Sequence, residues 1–392
     1  MFELLPNYDD GSIPNFSSGL VKHFGIKPPG KPIDFKSREI NLDGIDKIVV
    51  FLLDALSYST VEKLITEPGG FSHIGSYALK HMTSVFPSTT TSALTSLYTC
   101  VPPIYHGMLG YTLYLKEYGG LSNMIELTPY GQERDGLQKI GMDPLKFLEV
   151  PTIFETLYDG GIKGYHITSK SFVNTGLSRM HTKGGYVKGI YGYGDMIEEI
   201  TDILRNEENQ SLIFAYWGLI DTFGHRYGSS SQAYEMEAYW ILRMIDDFFR
   251  RVAKSNTAFF ITADHGQKET PWEKEIWWSK NDYLYNYLYS LPAGEHRACY
   301  LHTIDVEKTK EILTNNWGDK LLILERDEAI KRGLFGSGNN KKYIDRIGEL
   351  VVIPRDNYSF CFKYSGQENS MKARHGGLTE DEMKVPLIFL RK

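Results

Sequence analysis

Four stretches of the chain are apolar at consecutive positions: KIVVFLLD (47–54), SLIFAYWGLID (211–221), TAFFITADHG (257–266) and VPLIFLRK (385–392). A strand with one face in water alternates apolar and polar residues. An unbroken run instead marks a strand buried on both faces, as in a mostly parallel sheet. Between these runs the apolar spacing changes to three and four. The clearest case is SQAYEMEAYWILRMIDDFFRRVAKS (231–255), which predicts a long amphipathic helix. Strands alternating with helices predict an α/β layered fold. SVFP (84–87) reads as a further strand and TSALTSLYT (91–99) as the start of a helix.

The pattern shifts between about residues 270 and 370. WEKEIWWSKNDYLYNYLYSLP is dense in Trp and Tyr, and ACYLHTI, KLLILER, ELVVIPR and YSFCFKY read as short strands around one helix, VEKTKEILTNN. This predicts an inserted α+β cap, with residues 1–270 as the first part of the main domain, 271–370 as the cap and 371–392 as the return to the main sheet. Aromatic residues at helical spacing in the cap read as packing in preference to a base-stacking platform. Residues 1–45, rich in Pro, Gly and Asn, read as an irregular lead-in on the surface. The glycine-rich KGGYVKGIYGYGD (183–195) is a hinge candidate.

A net charge of −6 over 392 residues and a pI near 6.0 argue against a scaffold that holds nucleic acid by bulk charge. A small anionic substrate stays possible, because bound metal ions reverse a local field. Three scattered cysteines, Cys100, Cys299 and Cys361, imply neither a disulfide framework nor a thiolate zinc site. The N-terminus shows no basic and apolar leader, and no apolar run is long enough for a membrane span. The expectation is a soluble, cytoplasmic protein; the pattern leaves the oligomeric state open.

Three of the apolar runs deliver an aspartate at the carboxyl end: Asp54, Asp221 and Asp264. Ligands bind at that edge of open α/β sheets. A single such Asp reads as a helix cap, but each of these runs with further site-type residues. His225 follows Asp221 by four, His265 adjoins Asp264, and His375 precedes the last strand within ARHGG. The remaining histidines considered (His23, His73, His81, His166, His181, His296 and His302) read as structural. Asp with His suits zinc or manganese. Three carboxylates and three imidazoles exceed the needs of one tetrahedral ion and suit two. Nearby, five hydroxyl residues run from Ser88 to Ser92 at a predicted helix start. A hydroxyl there, activated by a metal, suits attack on phosphorus or sulfur. The pattern alone does not single out which of the five attacks.

The ordered set LLDAL, FPSTT, GLIDTFGH, TADHG and RHGG resembles the alkaline phosphatase superfamily, and within it the type I phosphodiesterase/nucleotide pyrophosphatase branch, which includes phosphonoacetate hydrolase. The resemblance runs from about residue 45 to the C-terminus. It implies a three-layer α/β fold with a central mostly parallel sheet and a small inserted cap. It also implies two divalent metals, zinc or manganese: one held by Asp54, Thr90, Asp264 and His265, the other by Asp221, His225 and His375. Thr90 aligns with the nucleophile of the branch's F-P-T-x-T pattern, leaving Ser88, Thr89 and Thr91 to cap the helix or line the turn. The implied activity is hydrolysis of a small anionic, nucleotide-type phosphodiester through a phosphothreonine. A phosphonoacetate-hydrolase-like C–P hydrolase, a phosphomonoesterase and a cyclic-dinucleotide phosphodiesterase are the alternatives.

Sulfatase and mutase readings lack their nucleophile patterns, and a strong monoesterase lacks cations, since residues 81–115 hold no Arg or Lys. A binding module without turnover would have lost ligands, and all six are present. Two positions depart from the branch: Tyr111 stands near the place of a phosphoryl-binding Asn, and Ala55 where many relatives have Gly. The cap's AGEHRACYLHT resembles cytoplasmic bacterial and archaeal members. Within it Arg297 is a candidate for a second phosphate, or a surface ion pair of the cap.

Overall fold

The computed structural model describes residues 3–66, 70–75, 79–252, 256–338, 340, 342–366, 368 and 370–392. Its central sheet has seven strands in the order Leu79–Thr83, Lys384–Arg391, Thr257–Thr262, Lys47–Leu53, Ser211–Trp217, Lys163–Ser169 and Tyr186–Ile190. Lys47–Leu53 pairs in parallel with both of its neighbours, and all seven of its residues are buried. The 384–391 strand runs antiparallel to both of its own neighbours. Its apolar run reports burial on two faces, which does not depend on strand direction.

Helices pack in two groups: 13–23 with 90–99 and 153–159, and 232–251 with 58–66 and 193–206. They cover the two sheet faces and complete the three layers. The predicted long helix forms as Gln232–Arg251; residues 253–255 at its predicted end lie outside the described residues. No helix among the described residues is long and apolar enough to cross a membrane.

Three sequence expectations need correction. Residues 1–45 are not merely a surface lead-in, because Ile13–His23 is a helix whose residues 13–21 are all buried. SVFP is not a strand; that strand ends at Thr83, and Phe86 and Pro87 (joined by a cis peptide bond) lie in the connection that follows. The 183–195 stretch forms the edge strand Tyr186–Ile190 and starts the helix Tyr193–Asn206, so it belongs to the main sheet.

A second seven-stranded sheet runs Leu321–Glu325, Leu350–Pro354, Ala298–Leu301, Ala293–Glu295, Thr112–Leu115, Gly120–Asn123, Thr128–Pro129. Segment 271–370 therefore does not build its sheet alone; three strands come from residues 112–129. The junction is Gly294 opposite Thr112, fixed by Thr112 Oγ1 donating to Gly294 O at 2.8 Å. Gly294 has φ +79, and a Cβ there would meet Ala298 O at 2.1 Å, so glycine is required. Trp278 is buried and stacks on Phe360 in a small core with Leu313 and Val352.

Candidate active site

The three central strands end in register. Leu53 lies opposite Trp217 and Leu52 opposite Thr262, so the segments that follow leave the sheet at one edge. Asp54 comes directly after its strand, its N–H bonded to Trp217 O at 2.9 Å. Asp264 follows its strand by two residues. Asp221 is not at a strand end; it occupies the first turn of the helix Leu219–Tyr227. The four-residue spacing puts His225 on the same helix face, with Nε2 3.2 Å from Asp221 Oδ1. Ala55 takes φ +59, the left-handed region. The backbone thus keeps the shape that glycine adopts more readily, and the Ala55 N–H reaches Asp264 Oδ1 at 3.4 Å.

The three histidines are oriented alike. Nδ1 of His225, His265 and His375 faces the backbone oxygen of Ala373 (2.8 Å), Gly266 (2.9 Å) and Ser88 (3.1 Å) respectively. A carbonyl only accepts, so each Nδ1 carries a proton and each Nε2 is the nitrogen turned to the site. His265 Nε2 lies 3.1 Å from Thr90 Oγ1, 3.4 Å from Asp54 Oδ1 and 3.6 Å from Asp264 Oδ2. His265 and His375 stack with centroids 4.0 Å apart, and His375 Nε2 stands 3.6 Å from Asp221 Oδ1.

This donor set fits cations. Asp54 Oδ1 and Asp264 Oδ2 are buried with no hydrogen-bond partner among the described residues. Burial and the charges of Asp264 and Asp221 push the Asp54 carboxyl well above its ordinary value, and burial pushes Asp264 up as well. Burial and the two neighbouring imidazoles hold His375 well below the usual histidine range. Imidazole Nε2 atoms turned toward buried carboxylate oxygens are metal-ligand chemistry. Asp54, Asp264 and His265 offer ligand atoms within 4.8 Å of one another, and so do Asp221, His265 and His375. His265 thus borders both groups, while His225 adjoins the second through Asp221.

Thr90 is the first residue of the helix Thr90–Thr99, where backbone N–H groups have no partner inside the helix. Its neighbours do not cap that helix with their side chains. Ser88 Oγ donates to Gly377 O at 2.8 Å and accepts from Gly376 N–H at 3.2 Å, tying the turn to the His375 loop. Thr91 Oγ1 donates to Gly110 O at 2.9 Å, and Thr89, the N-cap by position, makes no side-chain cap bond. Thr90 borders a cavity of about 340 Å³ whose walls include Asp54, Phe172, Tyr191, Trp217 and Asp221.

The two candidate substrate contacts lie elsewhere. Tyr111 is outside this wall, with its Oη accepting from Asn123 Nδ2 at 3.1 Å. Arg297 is neither a phosphate ligand nor a surface pair. It is fully buried, bonded through Nε and Nη2 to Glu382 (2.9 and 2.7 Å) and through its remaining donors to Asp356 O and Tyr358 O. Sequence reasoning also missed two supporting residues. Tyr216, inside an apolar run, donates its O–H to Asp54 Oδ2. Gln267, two places after His265, donates to Asp221 Oδ1 at 2.6 Å. No local pattern distinguishes either from a core residue.

The family model described as type I phosphodiesterase/nucleotide pyrophosphatase matches residues 48–378. The chain belongs to this family. As a type I phosphodiesterase of the alkaline phosphatase superfamily it is a hydrolase of phosphoester bonds, in a metal-dependent class. Solved structures share the fold. Murine ectonucleotide pyrophosphatase/phosphodiesterase 5 superposes with TM-score 0.65 at 16% identity over 87% of each chain. An inactive variant of the same murine protein in complex with AMP gives 0.62, also at 16% identity over 87% of each chain. Phosphonoacetate hydrolase from Sinorhizobium meliloti 1021 in complex with phosphonoacetate gives 0.63 at 19% identity, over 88% of this chain and 89% of that one. Comparison with curated protein sequences gives no match.

Proposed function

We propose that this type I phosphodiesterase hydrolyses a nucleotide-type phosphodiester with Thr90 as the nucleophile. The observation that carries the reading is the placement of Thr90 Oγ1: at a helix N-terminus, 3.1 Å from His265 Nε2 and on the wall of the cavity that Asp54 and Asp221 also line. Asp54, Thr90, Asp264 and His265 would hold one divalent ion and Asp221, His225 and His375 the other; zinc or manganese there lowers the pKa of a bound hydroxyl or water and draws charge from phosphoryl oxygens.

The rest follows from the chain itself. Thr90 Oγ1 gives up its proton and forms a bond to phosphorus as the bond to the leaving oxygen breaks; the leaving group takes up a proton and departs, giving a phosphothreonine. The unpaired N–H groups of the 90–99 helix face the charge that builds on the phosphoryl oxygens. Water then cleaves the Oγ1–P bond, and Thr90 regains its proton. Among the described residues no Lys or Arg lines the 340 Å³ cavity, which favours a singly charged diester over a monoester dianion. The aromatic walls Phe172, Tyr191 and Trp217 suit a nucleobase, and the AMP complex of the murine neighbour supports the same class.

The test is a substrate panel with zinc and with manganese: bis-p-nitrophenyl phosphate, the monoester, phosphonoacetate, cyclic dinucleotides and nucleoside triphosphates. Diesters or triphosphates turn over fastest on this reading, whereas a preference for phosphonoacetate or the monoester would replace it. Thr90→Ala keeps its metal, measured by elemental analysis, and loses turnover on the order of 10³-fold or more. Near-normal turnover in that variant would remove Thr90 from the role.

A further inference from the structure

We propose that Arg134 is a specificity-determining residue, holding an anionic group of the substrate that adjoins the phosphorus at Thr90. This rests on the proposed function above and narrows its substrate class to compounds with a second phosphate next to the scissile one, such as nucleoside polyphosphates. A second cavity, of about 80 Å³, lies beside the first; Thr90, Ile125, Phe172 and Tyr216 belong to both walls. Its further wall includes Arg134, His166 and His181. Burial pushes those two imidazoles down to about 4 and about 3, so they are uncharged near neutral pH. Among the described residues Arg134 is the only Lys or Arg on either wall.

Its backbone is held firmly. Asp135 N–H bonds Glu126 O at 2.7 Å, and Asp135 Oδ1 accepts from Gly176 N–H at 2.9 Å. Asn123 Oδ1 accepts from the N–H groups of Ile125 and Glu126. The loop is thereby tied both to the second sheet and to the helix Gly176–His181, which carries His181 into the same cavity. Among the described residues the guanidinium has one hydrogen-bonding partner, Glu126 Oε1 at 3.3 Å, with both side chains about 40% exposed (42% and 38%). Such a pair is weak, and a five-donor fork has capacity left for a bidentate phosphate. Arg297 was the sequence candidate for this role, and its donors are spent on Glu382 and two carbonyls; Arg134 has the access that Arg297 lacks.

The experiment compares full-length, zinc-loaded wild type with Arg134→Gln and Arg134→Lys. The substrates are ATP and p-nitrophenyl thymidine 5′-phosphate, which has a single phosphate. Arg134→Gln should raise the KM for ATP about 10- to 100-fold more than the KM for the aryl ester, with kcat changed much less, and Lys should recover part of the loss. Equal effects on the two substrates, or none, overturn the proposal and leave Arg134 as half of a surface ion pair. A second readout does not need turnover. In a Thr90→Ala background, calorimetry should show ADP bound more tightly than AMP, and Arg134→Gln should abolish that preference. Failure of the wild type to cleave either substrate would sink the proposed function and still leave this comparison readable. A Thr90→Ala protein with no ADP preference sinks the role of Arg134.

Discussion

At the residue scale, the site is a set of oxygens and nitrogens, most of them buried, held in place by neighbouring hydrogen bonds. Asp54 gives Oδ2 to the Tyr216 hydroxyl and keeps Oδ1 unpaired; Asp221 gives Oδ1 to Gln267 and approaches His225 and His375 with the same atom. Each histidine spends Nδ1 on a carbonyl. Supporting contacts of this kind orient ligands and set their basicity. Tyr216→Phe removes one of them at little cost in shape, so zinc affinity should fall about 10-fold; competition against a chromophoric chelator measures it, and unaltered affinity would mean that Tyr216 only fills space. The six ligand candidates and Thr90 were legible because each sits in a short local motif. Tyr216 and Gln267 were not, because a hydrogen bond to a residue 162 or 46 positions away leaves no mark on neighbouring residues.

At the element scale, the four apolar runs predicted the three parallel strands and the final strand to within a few residues, because burial on both faces writes itself into consecutive positions. The cap strands Ala298–Leu301, Leu321–Glu325, Leu350–Pro354 and Ser359–Lys363 were equally readable. What failed was their partnership: Thr112–Leu115 joins the sheet of the first three from about 180 residues away, and Ser359–Lys363 pairs separately with Glu275–Ser279. Arg297 shows the same failure in a side chain: its partner Glu382 lies in the short helix before the last strand, 85 positions on. Arg297→Ala would leave the buried Glu382 carboxylate without its cation, held only by Gly377 and Thr379, and would strip two carbonyls of their donor. We expect a loss of about 3–5 kcal/mol of stability, read from urea unfolding, with the KM of the folded fraction unaltered. A selective rise in KM without destabilisation would return Arg297 to the substrate site.

At the scale of the whole molecule, neutral histidines buried away from the metal ligands make the fold sensitive to acid. Burial lowers His166 to about 4, His181 to about 3 and His302 to about 4. The unfolded chain takes up protons at these rings below about 6.5 and the folded chain does not. Their contribution is therefore complete above about 6.5 and shrinks as the pH falls toward 4. Between pH 7.5 and 5.5 each ring should cost about 1.3 kcal/mol, roughly 4 kcal/mol together, a large part of a typical folding free energy. Urea midpoints at the two pH values, with chelator present in both so that metal release does not contribute, test this; equal midpoints would contradict it.

The sequence by itself determined the family and the layered α/β class, and it singled out the candidate metal-binding residues. These depend on local periodicity and on short motifs in a fixed order. Tertiary structure alone decided that residues 112–129 complete the second sheet, that Arg297 is interior and Arg134 accessible, and which nitrogen of each histidine points inward. Those outcomes rest on contacts between distant segments, and no local pattern of side chains encodes which carbonyl a ring will face or which strand will find an open edge.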